Sequence, residues 1–134
     1  LLKNSRIKSY FAIMGVVGDL RALIYPVFDP YEFPHITGFS FLIGHYATGN
    51  SLNVIFNSYK THPISQRLIV VATLLLNLAL VIVNQTIGGN YGMLKHTPFI
   101  MGTPLFVKYL AVSGALIILM IIMKKGLEHF EDKY

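Results

Sequence analysis

Apolar residues in this chain come in long runs, with most of the polar ones held between them. Four stretches approach the ~20 residues that carry an α-helix across the hydrocarbon core of a bilayer. They are 9–28 (SYFAIMGVVGDLRALIYPVF), 36–56 (ITGFSFLIGHYATGNSLNVIF), 67–87 (RLIVVATLLLNLALVIVNQTI) and 105–123 (LFVKYLAVSGALIILMIIM). The third and fourth are the most apolar. The first carries Asp19 and Arg21 near its middle, and the second carries His45, Asn50 and Asn53, so hydropathy alone ranks these two lower. The pattern predicts an all-α fold, a polytopic transmembrane helix bundle with about four spanning helices in one domain over residues 1–134. A signal peptide is the rival for the first run, because Lys3, Arg6 and Lys8 precede it; aromatics and prolines rather than a small-residue cleavage site follow, which disfavours it.

Turn chemistry fits these limits. Pro26 closes the first run, and Pro30 with Pro34 keeps the next segment extended, since proline removes a donor and restricts the residue before it. Pro63 and Pro104 suit the first turns of the third and fourth helices. Gly88 and Gly89 offer the left-handed positions that end a helix and satisfy its last carbonyls.

Composition identifies the solvent. Hydrophobic residues make up 54% of the chain and charged residues only 13%, whereas ordinary soluble domains have about 25% charged residues. That balance points to a bilayer. Arg21 apart, eight of the ten Lys and Arg residues fall on one side of a four-span arrangement: Lys3, Arg6, Lys8, Lys60, Arg67, Lys124, Lys125 and Lys133. Lys95 and Lys108 fall on the other. The positive-inside rule then places the protein in the cell membrane as a multi-pass chain with both of its ends cytoplasmic. The net charge of +5 follows from this topology and from attraction to anionic lipid, so nucleic acid is not an expected partner. With no cysteine there is no disulfide, thiolate metal site or cysteine nucleophile within these residues. The five histidines fall in different segments and no phosphate loop, HExxH pair or serine elbow is present, so neither a metal nor a cofactor is expected.

The candidate chemistry lies in polar groups at membrane depth. His45 shares a helical face with Gly38, Leu42, Gly49 and Asn53, a small and polar stripe that should turn inward. Imidazole there suits a general base, and it equally suits a packing residue held by a neighbouring helix. Thr73, Asn77 and Asn84 fall near one face of the third helix, where Asn serves as interhelical glue or as a ligand group. Asn84, Asn90 and Tyr91 are expected to line the outer mouth of a polar cavity reaching His45 and Asn53, able to hold a lipid headgroup. Asp19 and Arg21 are two residues apart and cannot pair on one helix, so each needs another partner. Asp19 shares a face with the small residues Gly15 and Ala22 and should point inward; Arg21 either snorkels or meets an acid or a lipid phosphate.

Four separated strings, GDLRALIYP (18–26), FPHITGFSFLIGHY (33–46), YKTHPISQR (59–67) and NQTIGGNYGMLKHTP (84–98), occur in an order that resembles the YwaF-like integral membrane proteins, relatives of transmembrane protein 164. The resemblance covers about residues 10–110. It implies that these residues form the C-terminal portion of a longer polytopic protein with upstream spans, and that membrane lipids and those upstream helices, or partner membrane subunits, are its partners. It further implies a lipid-modifying enzyme, a phospholipid acyltransferase; the residues weighed by themselves then offer His45 as base and Asn84, Asn90, Tyr91 and Asn53 to orient a headgroup. The other class open to the same residues is a non-enzymatic membrane subunit of a transport or assembly complex. Asp19, Arg21 and the Gly92-Met93 pair depart from that family's usual pattern.

The basic bias makes a topological prediction. In a chain with no native cysteine, Glu32→Cys should react with a membrane-impermeant thiol reagent applied from outside the cell, and Ser65→Cys should not; labelling of residue 65 alone would reverse the orientation.

Overall fold

The computed structural model describes residues 5–24, 36–49, 64–97 and 100–131, and every long element among them is helical. In chain order these are α1 (Ser5–Ile24), α2 (Ile36–Gly49), α3 (Gln66–Ile87), a single 3-10 turn (Tyr91–Met93) and α4 (Leu105–Glu131). They gather into two compact units, one of Leu1–Ile64 with Met123–Tyr134 and one of Ser65–Ile122.

α3 matches the expected third run to within a residue, because both of its ends are fixed by local chemistry. The Ser65 side chain accepts a hydrogen bond from Leu68 N at 3.2 Å, an N-cap that satisfies one of the orphan donors of the first turn. At the other end Gly88 takes a left-handed conformation with φ +73°, and the helix stops there. Gly89 does not share that conformation. Its role is steric, since a Cβ at this position would stand 2.8 Å from the Tyr91 ring.

α4 starts where expected, but Pro104 lies one residue outside its first turn; the proline carbonyl accepts from Val107 N and Lys108 N. The helix also runs past the apolar segment, through Lys124 and Lys125, to Glu131. Main-chain hydrogen bonding does not need apolar side chains, and Lys124 pairs with Glu128 one turn later. α1 likewise begins ahead of its apolar run, at Ser5, and takes in Arg6 and Lys8.

Among the described residues, α3 and α4 are long and apolar enough to cross a membrane. α1 has the length but carries charges along it. The described part of α2 is 14 residues, or about 21 Å, short of the ~30 Å hydrocarbon core. Two of the four expected spans therefore stand on length and composition.

Within the second unit α3 is arranged inside out compared with a helix in water. Its buried residues are Ile69, Thr73, Asn77 and Asn84, three of them polar. Large apolar side chains face outward instead: Leu75 is 62% exposed, and Ile118 on α4 is 59% exposed. In lipid this is the favourable arrangement, because hydrocarbon solvates leucine and only protein can satisfy an amide. Asn77 Nδ2 donates to Ser113 Oγ at 2.9 Å, and the Thr73 hydroxyl lies 3.7 Å from Met120 Sδ. Tyr109 adds a third tie, its hydroxyl donating to the Leu74 carbonyl at 3.0 Å. Val112, Leu116 and Met120 pack the same side of α4.

In the first unit α1 buries Ser9, Tyr10, Ile13, Val16 and Val17, a stripe at helical spacing, and α1 packs against α2.

The Asn77–Ser113 bond joins two helices through side chains alone, so a double-mutant cycle isolates it. Asn77→Ala should destabilise the protein in detergent by about 0.6–1.7 kcal/mol, and Ser113→Ala in the Asn77→Ala background should add nothing further. Additive losses would show that the two side chains act independently.

Candidate functional site

The residues singled out from the sequence fall into two groups, one in each unit. His45 belongs to α2 and Asp19 to α1, both in the first unit. Asn84, Asn90 and Tyr91 belong to the second unit. Asn53 lies outside the described residues, and with it one wall of the expected cavity.

His45 is half-buried and its ring is held at two points on its own helix. Nδ1 is 2.7 Å from the Phe41 carbonyl, one turn back. A carbonyl oxygen only accepts, so Nδ1 carries the proton in that contact. The Phe41 ring stacks on the imidazole with centroids 4.1 Å apart and planes tilted by 32°. In the neutral ring these contacts leave the lone pair on Nε2. Such an imidazole is oriented and in the tautomer that a base requires.

Asp19 lies on α1, which packs against α2, the helix that carries His45. One of its carboxylate oxygens, Oδ2, is sealed from solvent and accepts no hydrogen bond. Arg21 is half-buried two residues further along α1.

The second group is bound up with its own backbone. Asn84 is buried at the last full turn of α3, and both ends of its amide reach Tyr91: Tyr91 N donates to Oδ1 at 2.7 Å, and Nδ2 donates to the Tyr91 carbonyl at 2.9 Å. Asn90 performs a similar task one step on. Its Oδ1 accepts from Lys95 N at 2.9 Å and from His96 N at 2.8 Å, while Nδ2 donates to the His96 carbonyl at 3.4 Å. The two amides fold residues 88–96 into a closed loop. Gly92, at φ +67°, and Met93, at φ +58°, take consecutive left-handed conformations in that loop. The second is unusual for a side chain of this size. The reversal delivers Leu94 fully buried beneath Gly92. Tyr91 remains 54% exposed.

Sequence reasoning missed Phe41 as the group that orients His45, although its place four residues earlier was a visible signal. It also missed Ser113, Tyr109 and Met120, whose partners lie 35 to 47 residues away. No local signal announces such pairs.

Replacing Asn84 should open the loop. Asn84→Ala removes the partners of both main-chain groups of Tyr91, at a cost of about 1–3 kcal/mol, with faster proteolysis between residues 88 and 96; an unchanged denaturation midpoint together with unchanged protease resistance would show that the loop holds without the amide.

Compared with known proteins, the chain matches the model of the TMEM164 family over residues 1–124. No curated protein and no solved structure matches it.

Proposed function

Since the chain belongs to the TMEM164 family, a family of membrane proteins, we propose that it is a membrane enzyme moving acyl chains between phospholipids, with His45 as its general base. In this reading four helices traverse the bilayer, and both ends of the chain lie on the cytoplasmic side. The single observation that carries the reading is the state of His45. Its Nδ1 is engaged by Phe41 at 2.7 Å, which leaves Nε2 as the proton acceptor in the neutral ring, and Asp19 stands on the helix packed against α2.

The reaction needs no nucleophile from the protein. A hydroxyl oxygen of a lysophospholipid attacks the ester carbonyl carbon of a donor phospholipid while His45 Nε2 removes the hydroxyl proton. The tetrahedral intermediate collapses by breaking the ester bond to the donor glycerol oxygen, and that oxygen takes the proton back from Nε2. One ester forms, one ester breaks, and the imidazole ends neutral. Asp19 stabilises the transient imidazolium through its charge, as a carboxylate beside a catalytic histidine does. Of the group assigned to headgroup binding, Asn84 and Asn90 hold the loop, and the exposed Tyr91 is the member best able to meet a headgroup.

The test is transfer of a labelled acyl chain to a lysophospholipid by the full chain in lipid nanodiscs. His45→Ala should lower transfer by about 10²–10⁴-fold with helix content unchanged, and Asp19→Asn should lower it less. No transfer by the wild-type protein, or equal transfer by His45→Ala, would return the chain to the other class, a non-enzymatic membrane subunit whose buried polar groups hold helices together.

A further inference from the structure

α3 is 22 residues long, about 33 Å, which matches the ~30 Å hydrocarbon core, so the chain emerges at headgroup depth from Gly88 onward. Two ammonium groups converge on the short loop formed there. Lys95 Nζ donates to the Gly88 carbonyl at 3.5 Å, and Lys108 Nζ, reaching back from the first turn of α4, donates to the Lys95 carbonyl at 3.0 Å. An ammonium has three donors, and each of these bonds uses one. His96 is exposed beside Lys95, its main-chain N–H fixed by Asn90.

Nothing within the second unit neutralises this charge. The six acids of the chain are Asp19, Asp29, Glu32, Glu128, Glu131 and Asp132, and none lies between residues 33 and 127. Lys108 is also placed against the field of its own helix, because the first turn of α4 is the positive end of the dipole, where cations are disfavoured and anions favoured. Two ammonium groups that no acid of their own unit neutralises, beside a helix start at a membrane surface, call for an anion. The surroundings select its kind. Ile87, Tyr91, Met101 and Phe106 are all exposed around the same connection, an apolar rim that suits acyl chains and offers nothing to a free ion.

We infer that the α3–α4 connection binds the phosphate of an anionic phospholipid, held by Lys95 and Lys108 with the lipid's acyl chains against the exposed apolar rim. The Asn84 and Asn90 amides pre-form the site by fixing the loop before the lipid arrives, which lowers the ordering cost of binding. The site shares the exposed Tyr91 with the proposed headgroup contact, but its lysines take no part in the reaction proposed at His45, and lipid retention is measured independently of acyl transfer.

The experiment measures retention of phosphatidylglycerol by the full chain with native mass spectrometry, after reconstitution in phosphatidylcholine containing a minor fraction of phosphatidylglycerol. Lys95→Gln and Lys108→Gln should each weaken retention about fivefold, and the double variant about thirtyfold. Glutamine keeps a donor for the loop carbonyls, and Lys108→Arg keeps the charge, so the latter should bind as wild type does. Lys125→Gln, at the far end of α4, should also bind as wild type does. Inorganic phosphate should not displace the lipid. Equal retention by the double variant, an equal loss in Lys125→Gln, or displacement by inorganic phosphate would each overturn the inference; the last would make the site one for a free anion.

Discussion

A polar side chain within a bilayer must find its hydrogen-bond partner inside the protein, and this constraint organises the second unit. Thr73 and Asn77 of α3 cannot be left against lipid, where an unsatisfied amide or hydroxyl costs several kcal/mol by the usual estimate. They turn to Ser113 and Met120, and in doing so they decide which face of α3 meets α4. The leucines and isoleucines opposite then point outward, where hydrocarbon accepts them. Tyr109 strengthens the same contact from the other helix through a main-chain carbonyl of α3. Burial of apolar area contributes little to such a choice in lipid, since the surroundings are as apolar as the side chains.

The same rule governs the end of α3, where it produces a loop rather than a helix contact. Asn84 is buried, but its amide meets main-chain groups of Tyr91 that the end of the helix would otherwise leave free. Once Tyr91 is held, the reversal through Gly92 and Met93 brings Asn90 under Lys95 and His96. Lys108 then closes the connection from α4. A string of residues that reads as a ligand-binding signature is therefore also a structural clasp, and its positive charge is what it presents to its surroundings.

In the first unit the decisive contact is shorter in sequence. The Phe41 carbonyl accepts a hydrogen bond from His45 Nδ1 and the Phe41 ring stacks on the imidazole, while α1, packed against α2, carries Asp19. A buried carboxylate oxygen with no hydrogen bond, such as Asp19 Oδ2, is an uncommon feature.

Much of this was legible in the chain. The membrane setting follows from composition alone, and α3 was readable almost to the residue because its apolar run, its Ser65 cap and its Gly88 stop are all local. The limits of α1 and α4 were less legible, since a helix continues into charged flanks as long as its main-chain bonds are made. The sequence also placed Asn84, Asn90, Tyr91, His45 and Asp19 among the residues with chemistry to explain. It did not say which of them meet. Helical spacing assigns a residue to a face, and hydrogen bonding then depends on which atoms of another segment arrive at that face. The pairing of Asn77 with Ser113 and of Asn84 with the Tyr91 backbone was accordingly decided by the tertiary structure, because an amide suits many partners and only packing selects one.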